Sequence, residues 1–194
     1  MSFQHIVKIP RERIGALIGK RGKVKQEIEQ KCSVKVDIDS ETGDATISGN
    51  GPADRMEIFK AVEVISAIAR GFSPQRAYRL FDLGRDESDA IIYQLIDLRG
   101  YSGKSPNALE RIRGRIIGES GKSRRTLEEL SGAYISVYGH SVGIIGSFRE
   151  VKLASEAINM LAKGSMHKTV YNMLQEARRK EKLDRMRLWE DSYS

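Results

Sequence analysis

The chain is short of the residues on which many site chemistries are built. A single cysteine, Cys32, excludes an intrachain disulfide and any cysteine-rich zinc site. The three histidines, His5, His140 and His167, stand far apart with no close carboxylate pattern, so the sequence offers no case for a metal site. Gly-Lys-Ser occurs at Gly103-Lys104-Ser105 and at Gly121-Lys122-Ser123, like the end of a nucleotide-binding loop. The glycine such a loop needs earlier is replaced by Leu98 and Ile116, so the spacing fails. No catalytic residue and no cofactor is therefore expected. No apolar run approaches the roughly 18 residues of a membrane span, and the N-terminus has no signal-like hydrophobic region, so a soluble cytoplasmic chain without membrane contact is expected. Cys, Asn and Gln are scarce and 30% of residues are charged, a composition compatible with a hot-adapted source.

What the chain has is positive charge, glycine and internal repetition. Lys and Arg number 33 against 26 Asp and Glu, a net charge of +7 that favours a polyanionic partner. Arg13 to Asp39 and Ile112 to Tyr138 read as two versions of one design at a constant offset of 99 residues. Gly15 falls on Gly114, Leu17 on Ile116, Ile18 on Ile117, Gly19 on Gly118, Gly22 on Gly121, Lys23 on Lys122, Ile28 on Leu127 and Glu29 on Glu128. A repeat this long means a duplicated domain. Bare Gly-x-x-Gly carries little information, because about 1.6 pairs are expected by chance at this glycine content. In Gly19-Lys20-Arg21-Gly22 and Gly118-Glu119-Ser120-Gly121, however, an apolar helical pattern ends at the first glycine and another begins just after the second.

The elements follow along the chain. His5–Ile9 is a short strand, and Pro10-Arg11-Glu12 opens the first helix. After the loop, Lys23–Lys31 carries Val24 and Ile28 at helical spacing, and Val34, Val36 and Ile38 alternate with Lys35 and Asp37 as a half-buried strand should. Asp39 to Asp44 is a polar turn; its acidic spacing is like a calcium loop, but Thr42 holds the position that needs glycine, so a hairpin is expected. A break at Gly49-Asn50-Gly51-Pro52 precedes a helix over 53–70, closed by Gly71. A short helix runs from Ser73-Pro74 through Phe81, and 82–88 is polar. Ile91–Leu98 is a strand, 100–106 a loop, Asn107–Ile117 a helix, Val142–Ile145 a third strand, and 148–162 and 166–189 are helices. The predicted boundaries are a first domain over 1–71, a helical linker over 72–89, a second domain over 90–164 and a C-terminal helix over 165–194. Charges of both signs alternate in 178–187, which reads as a solvated helix face.

The order strand, helix, Gly-x-x-Gly, helix, strand resembles the KH domain, and a strand directly before the first helix resembles its eukaryotic, type I form. The resemblance implies an α+β fold: two tandem KH domains, each a three-stranded antiparallel sheet with helices on one face, plus a long C-terminal helix. It also implies binding of single-stranded RNA, about four nucleotides per domain, clamped at the backbone by the loop. Glycines there let a sugar-phosphate backbone approach, and the following helix presents free amides and a positive dipole end. The implied contacts in the first domain are Arg13, Ile14, Gly15, Leu17, Gly19, Lys20, Arg21, Gly22, Lys23, Lys35 and Val36. In the second they are Arg113, Gly114, Arg115, Gly118, Glu119, Ser120, Gly121, Lys122, Arg124 and Arg125. Ile18, Ile116, Ile117 and Ile135 belong to the same implied grooves, although spacing does not sort the aliphatic residues between groove and core. Glu119-Ser120 replaces Lys20-Arg21, which weakens phosphate binding there unless Lys122, Arg124 and Arg125 compensate.

The whole chain, with two KH units, no zinc or catalytic module and a long C-terminal helix, resembles the archaeal branch of a small-subunit ribosome-assembly family. Its eukaryotic members partner the Nob endonuclease. That resemblance implies binding to the 3′ region of small-subunit ribosomal RNA, placement of the end for cleavage by a Nob-type endonuclease, and contact with the alpha subunit of translation initiation factor two. An RNA-binding accessory role in RNA decay or transcription is the alternative; the absence of an S1-like barrel counts against it.

Overall fold

A computed structural model describes residues 3–49, 55–82, 90–103 and 105–191. The expected break at 50–52, the first residues of the helix expected from 53, most of the polar stretch before Ile91, and Lys104 lie outside the described residues.

The first unit runs β1 (Phe3–Lys8), α1 (Arg11–Ile18), α2 (Lys23–Cys32), β2 (Lys35–Ile38), β3 (Asp44–Gly49) and α3 (Arg55–Ala69). Its antiparallel sheet has the order β1-β3-β2. Ala45 and Ile47 on β3 and Val36 on β2 face the helices, where Leu17, Ile28, Ile58 and Ile65 close the core. The turn between β2 and β3 is a hairpin in which the Asp39 carboxylate accepts the amides of Glu41 and Thr42.

The second unit repeats this plan with β4 (Ile91–Asp97), α5 (Arg99–Ser102), α6 (Pro106–Ile117), α7 (Lys122–Ser131), β5 (Tyr134–Tyr138), β6 (Ser141–Ser147) and α8 (Phe148–Ala162). Its sheet order is β4-β6-β5. The segment expected as loop before α6 contains the short helix α5, whose first residue Arg99 turns back onto Asp97 at 2.6 Å. A Ser147–Glu150 capping box starts α8. The last helix, α9 (His167–Asp191), buries Val170 and Leu174 in the second core. Among the described residues no helix is long and apolar enough to cross a membrane.

The residues after α3 enter the first core as well. Phe72, Ala77 and Leu80, from the stretch around α4 (Pro74–Ala77) and the tight helical turn that follows, are buried in the first core, and so is Ile145 from β6. Strand β6 explains this sharing. Val142 and Ile144 point to the second core while Ile145 points the other way, so the strand is buried on both faces. At Gly143 a Cβ would come 2.7 Å from Phe72, so only glycine leaves room for that ring, which also meets Tyr93 edge-on. Polar contacts cross the same junction: Ser136 donates to the Arg70 carbonyl at 3.0 Å, Arg79 pairs with Glu150 at 2.7 Å, and the Tyr138 hydroxyl meets Glu12.

Candidate nucleic-acid interface

The two loops have the same backbone. Gly19 and Gly118 lie at φ/ψ of 72/177° and 71/175°, Arg21 and Ser120 at 55/32° and 51/27°, and Gly22 and Gly121 at 76/8° and 75/15°. The first glycine of each pair is required by packing: a Cβ on Gly19 would stand 2.4 Å from Val24 Cγ2, and one on Gly118 would stand 2.6 Å from Ser123 Cβ. The second glycine is different. A Cβ on Gly22 or Gly121 would meet nothing within 4 Å, so only its left-handed conformation asks for glycine and the space beside it stays open.

The helix leading into each loop offers a bare strip. Gly15 and Gly114 are exposed, with open space where a Cβ would be, and each continues to a half-exposed aliphatic residue, Ile18 or Ile117. Glycine within a helix costs up to about 1 kcal/mol relative to alanine. Neither packing nor a left-handed backbone asks for glycine at Gly15 or Gly114.

The structure sorts the aliphatic residues that spacing left together. Leu17, Val36, Ile116 and Ile135 are closed in the cores and Ile14 is 7% exposed, so Leu17 and Val36, expected to meet bases, are held in the core, while Ile18 and Ile117 stay half-exposed. The repeat aligns Leu17 with Ile116 and Ile18 with Ile117 alike, so the alignment does not separate the buried residue from the half-exposed one. Lys35 is exposed beside Val36 but on the opposite face of the sheet, away from α1, because successive strand residues alternate.

Charged residues also divide. Lys20, Arg21 and Lys23 are exposed at the first loop, Lys23 lying 3.8 Å from Glu27. Arg13 is committed elsewhere: its Nε and Nη2 donate to the carbonyls of Ile68 and Phe72 at 2.9 and 2.6 Å, closing the end of α3. Arg115 does the same at the end of α8, donating to the carbonyls of Leu161 and Ser165. The two arginines occupy different positions of the repeat and perform the same task, each clamping a helix end. Arg113 is half-buried. At the second loop, Glu119 and Ser120 are exposed, Lys122 is exposed beside them, and Arg125 lies against the loop by donating to the Ser120 carbonyl at 3.0 Å. Arg124 turns inward to Glu128 and the Ile135 carbonyl, so compensation of Glu119 falls to Lys122 and Arg125. Ser123, the serine of the Gly-Lys-Ser tripeptide, is buried at 4% exposure under Gly118, where it has no path to a nucleotide.

Sheet order, loop backbone and bare helix strip define each half as a type I KH domain. Comparison agrees: residues 92–179 match the model of the second PNO1 domain, described as a eukaryotic type KH-domain (KH-domain type I), and residues 4–66 match the KH domain model. The chain is 42% identical over 185 residues to a KH domain-containing protein of Methanocaldococcus jannaschii, covering 95% of this chain and 78% of that one. It is 30% identical over 113 residues to the pre-rRNA-processing protein PNO1 of Chaetomium thermophilum, covering 58% of this chain and 42% of that one. Among solved structures it is similar to the aDim2p complex with a/eIF2alpha and rRNA from Pyrococcus horikoshii, with a TM-score of 0.82 and 43% identity, over 93% of this chain and 96% of that one. The chain belongs to the PNO1/Dim2 family of two-KH-domain proteins.

Proposed function

We propose that this protein is an RNA-binding factor of ribosomal RNA processing that holds single-stranded RNA across both KH units and places it for chemistry done by another protein. The observation that carries this reading is the pair of matched loops, each with an open left-handed glycine at the mouth of a glycine-bared helix. Lys20, Arg21 and Lys23 supply charge for phosphate at the first loop, while Lys122 and Arg125 offset Glu119 at the second. The Tyr138–Glu12 contact brings the first domain's α1 against the second domain's β5. Two weak sites in a fixed relation then engage one strand, and the second engagement is intramolecular.

The bound segment is the 3′ region of small-subunit ribosomal RNA, and the cutting partner a Nob-type endonuclease. The names of the relatives support ribosomal RNA processing over a role in RNA decay or transcription, PNO1 being a pre-rRNA-processing protein and aDim2p being complexed with rRNA. The same complex supports the alpha subunit of initiation factor two as a protein partner. Crosslinking RNA to the protein in cells and sequencing the bound fragments tests the assignment. Fragments should concentrate in the 3′ region of small-subunit ribosomal RNA; a spread over messenger RNA would overturn it in favour of decay or transcription.

A further inference from the structure

Four strands form the edges of the two sheets, and three of them are guarded. On β2 the Val36 amide is held by the Glu29 carboxylate at 2.8 Å, and on β5 the Ile135 amide is held by Glu128 at 2.8 Å. Strand β1 ends in Lys8, whose side chain is 79% exposed. Lysine and inward-bound carboxylates are ways proteins keep foreign strands off an edge. Strand β4 has neither. Its one charge is the last residue, Asp97, which is taken up by Arg99 at 2.6 Å; from Ile91 through Ile96 it reads Ile-Ile-Tyr-Gln-Leu-Ile, without charge, proline or glycine, and among the described residues its backbone pairs with β6 alone. A bare edge of this composition is a template for another strand.

The edge adjoins a groove. Ile92 and Gln94 form one wall, Phe148, Val151 and Met160 of α8 supply the apolar floor and far wall, and the volume is about 620 Å³. Phe148 is 63% exposed although it opens an α8 that is already capped by Ser147 and Glu150, and Leu95 on the other face of β4 is 44% exposed. Lys152 and Lys163 rim the groove against a single carboxylate, Glu156. An open strand edge, apolar seats for alternate side chains and a positive rim together fit one class of occupant.

We propose that the β4 edge and its groove against α8 take up an extended, acidic and apolar segment of a partner protein as a fourth strand of the second sheet. Main-chain hydrogen bonds supply affinity, and the groove and its lysines supply selection. The RNA-facing groove borders β5, at the opposite edge of this sheet, so RNA and the partner segment are held together without competition. The uptake of the strand stands apart from the RNA reading, and only the lack of competition rests on it.

The test uses the full chain and a fluorescein-labelled peptide of alternating valine and threonine with two glutamates at each end. The peptide should bind saturably and slow hydrogen exchange at the amides of β4. Methylating alternate peptide amides should weaken binding at least tenfold, lysine in place of the flanking glutamates about tenfold, and Lys152→Gln with Lys163→Gln about fivefold. Excess single-stranded RNA should leave the peptide affinity unchanged. Absence of binding, equal binding of the methylated peptide, or displacement of the peptide by RNA would overturn the proposal. So would a dimer in sedimentation that Leu95→Lys dissociates, because a second copy would then hold the edge.

Discussion

Arg76, in the short helix that follows the first domain, places Nη1 2.6 Å from Oε1 of Glu128, and that same oxygen accepts the Ile135 amide of β5 at 2.8 Å. One carboxylate therefore closes the edge of the second sheet and anchors the chain that leaves the first domain. Among the described residues its counterpart Glu29 holds only the Val36 amide. The Arg76 guanidinium also lies over the Tyr134 ring, 4.9 Å from its centroid.

This difference predicts unequal costs for equivalent substitutions. Glu29→Ala should destabilise by about 1.5 kcal/mol, the low end for one hydrogen bond to a charged acceptor, since the edge is only partly covered. Glu128→Ala removes the same bond and takes the carboxylate from Arg76 and Arg124 as well, and should cost about 2 to 3 kcal/mol. Urea unfolding of the two variants measures both; equal losses would deny Glu128 its joint role.

The two glycines of the first loop should separate in the same experiment. Gly19→Ala places a methyl 2.4 Å from Val24 Cγ2 on a backbone that side chains rarely adopt, and should cost about 3 kcal/mol. Gly22→Ala meets open space and should cost about 1 kcal/mol, the penalty of a left-handed residue.

Salt dependence separates clamp from contact. Lys20→Ala and Lys23→Ala should each reduce the slope of log affinity against log salt by about 0.7, the loss of one phosphate contact on a single strand. Arg13→Ala should leave that slope unchanged and lower stability by about 2 kcal/mol, because its two donors serve the carbonyls of Ile68 and Phe72.

Cys32 gives a pH test free of other thiols. Burial, reinforced by Glu57, pushes its thiol up to about 11. Above about pH 9 the unfolded chain loses this proton while the folded chain keeps it, so the thiol's contribution to stability is full below pH 9 and is lost towards pH 11. The parent should therefore lose stability faster than Cys32→Ala across that window, by about 2 kcal/mol in total. At pH 8 a thiol reagent should label the chain only as fast as it opens.

Much of the fold was legible because the repeat reports the same local physics twice. Helix, loop, helix and strand in each copy follow from apolar spacing interrupted by glycines that packing demands at Gly19 and Gly118. The loops of the candidate site were legible for that reason. The committed roles of Arg13 and Arg115 were not, because their acceptors lie at the ends of α3 and α8, more than 40 residues away, and nothing local announces a long-range clamp. Ile18 could not be told from Leu17, since adjacent residues on a helix separate into core and groove only when the sheet beneath them is fixed. The entry of Phe72 into the first core against Gly143 depends equally on a partner from the other domain.

The most direct measurement is the affinity of the full chain for a single-stranded RNA from the 3′ region of small-subunit ribosomal RNA, compared with Gly22→Asp and Gly121→Asp. Aspartate tolerates the left-handed conformation, so circular dichroism should be unchanged in both variants, while its carboxylate enters the phosphate path. Gly22→Asp should weaken binding at least tenfold and Gly121→Asp should weaken it less. Equal affinity of Gly22→Asp and the parent protein would contradict the assignment of the first loop as the principal clamp.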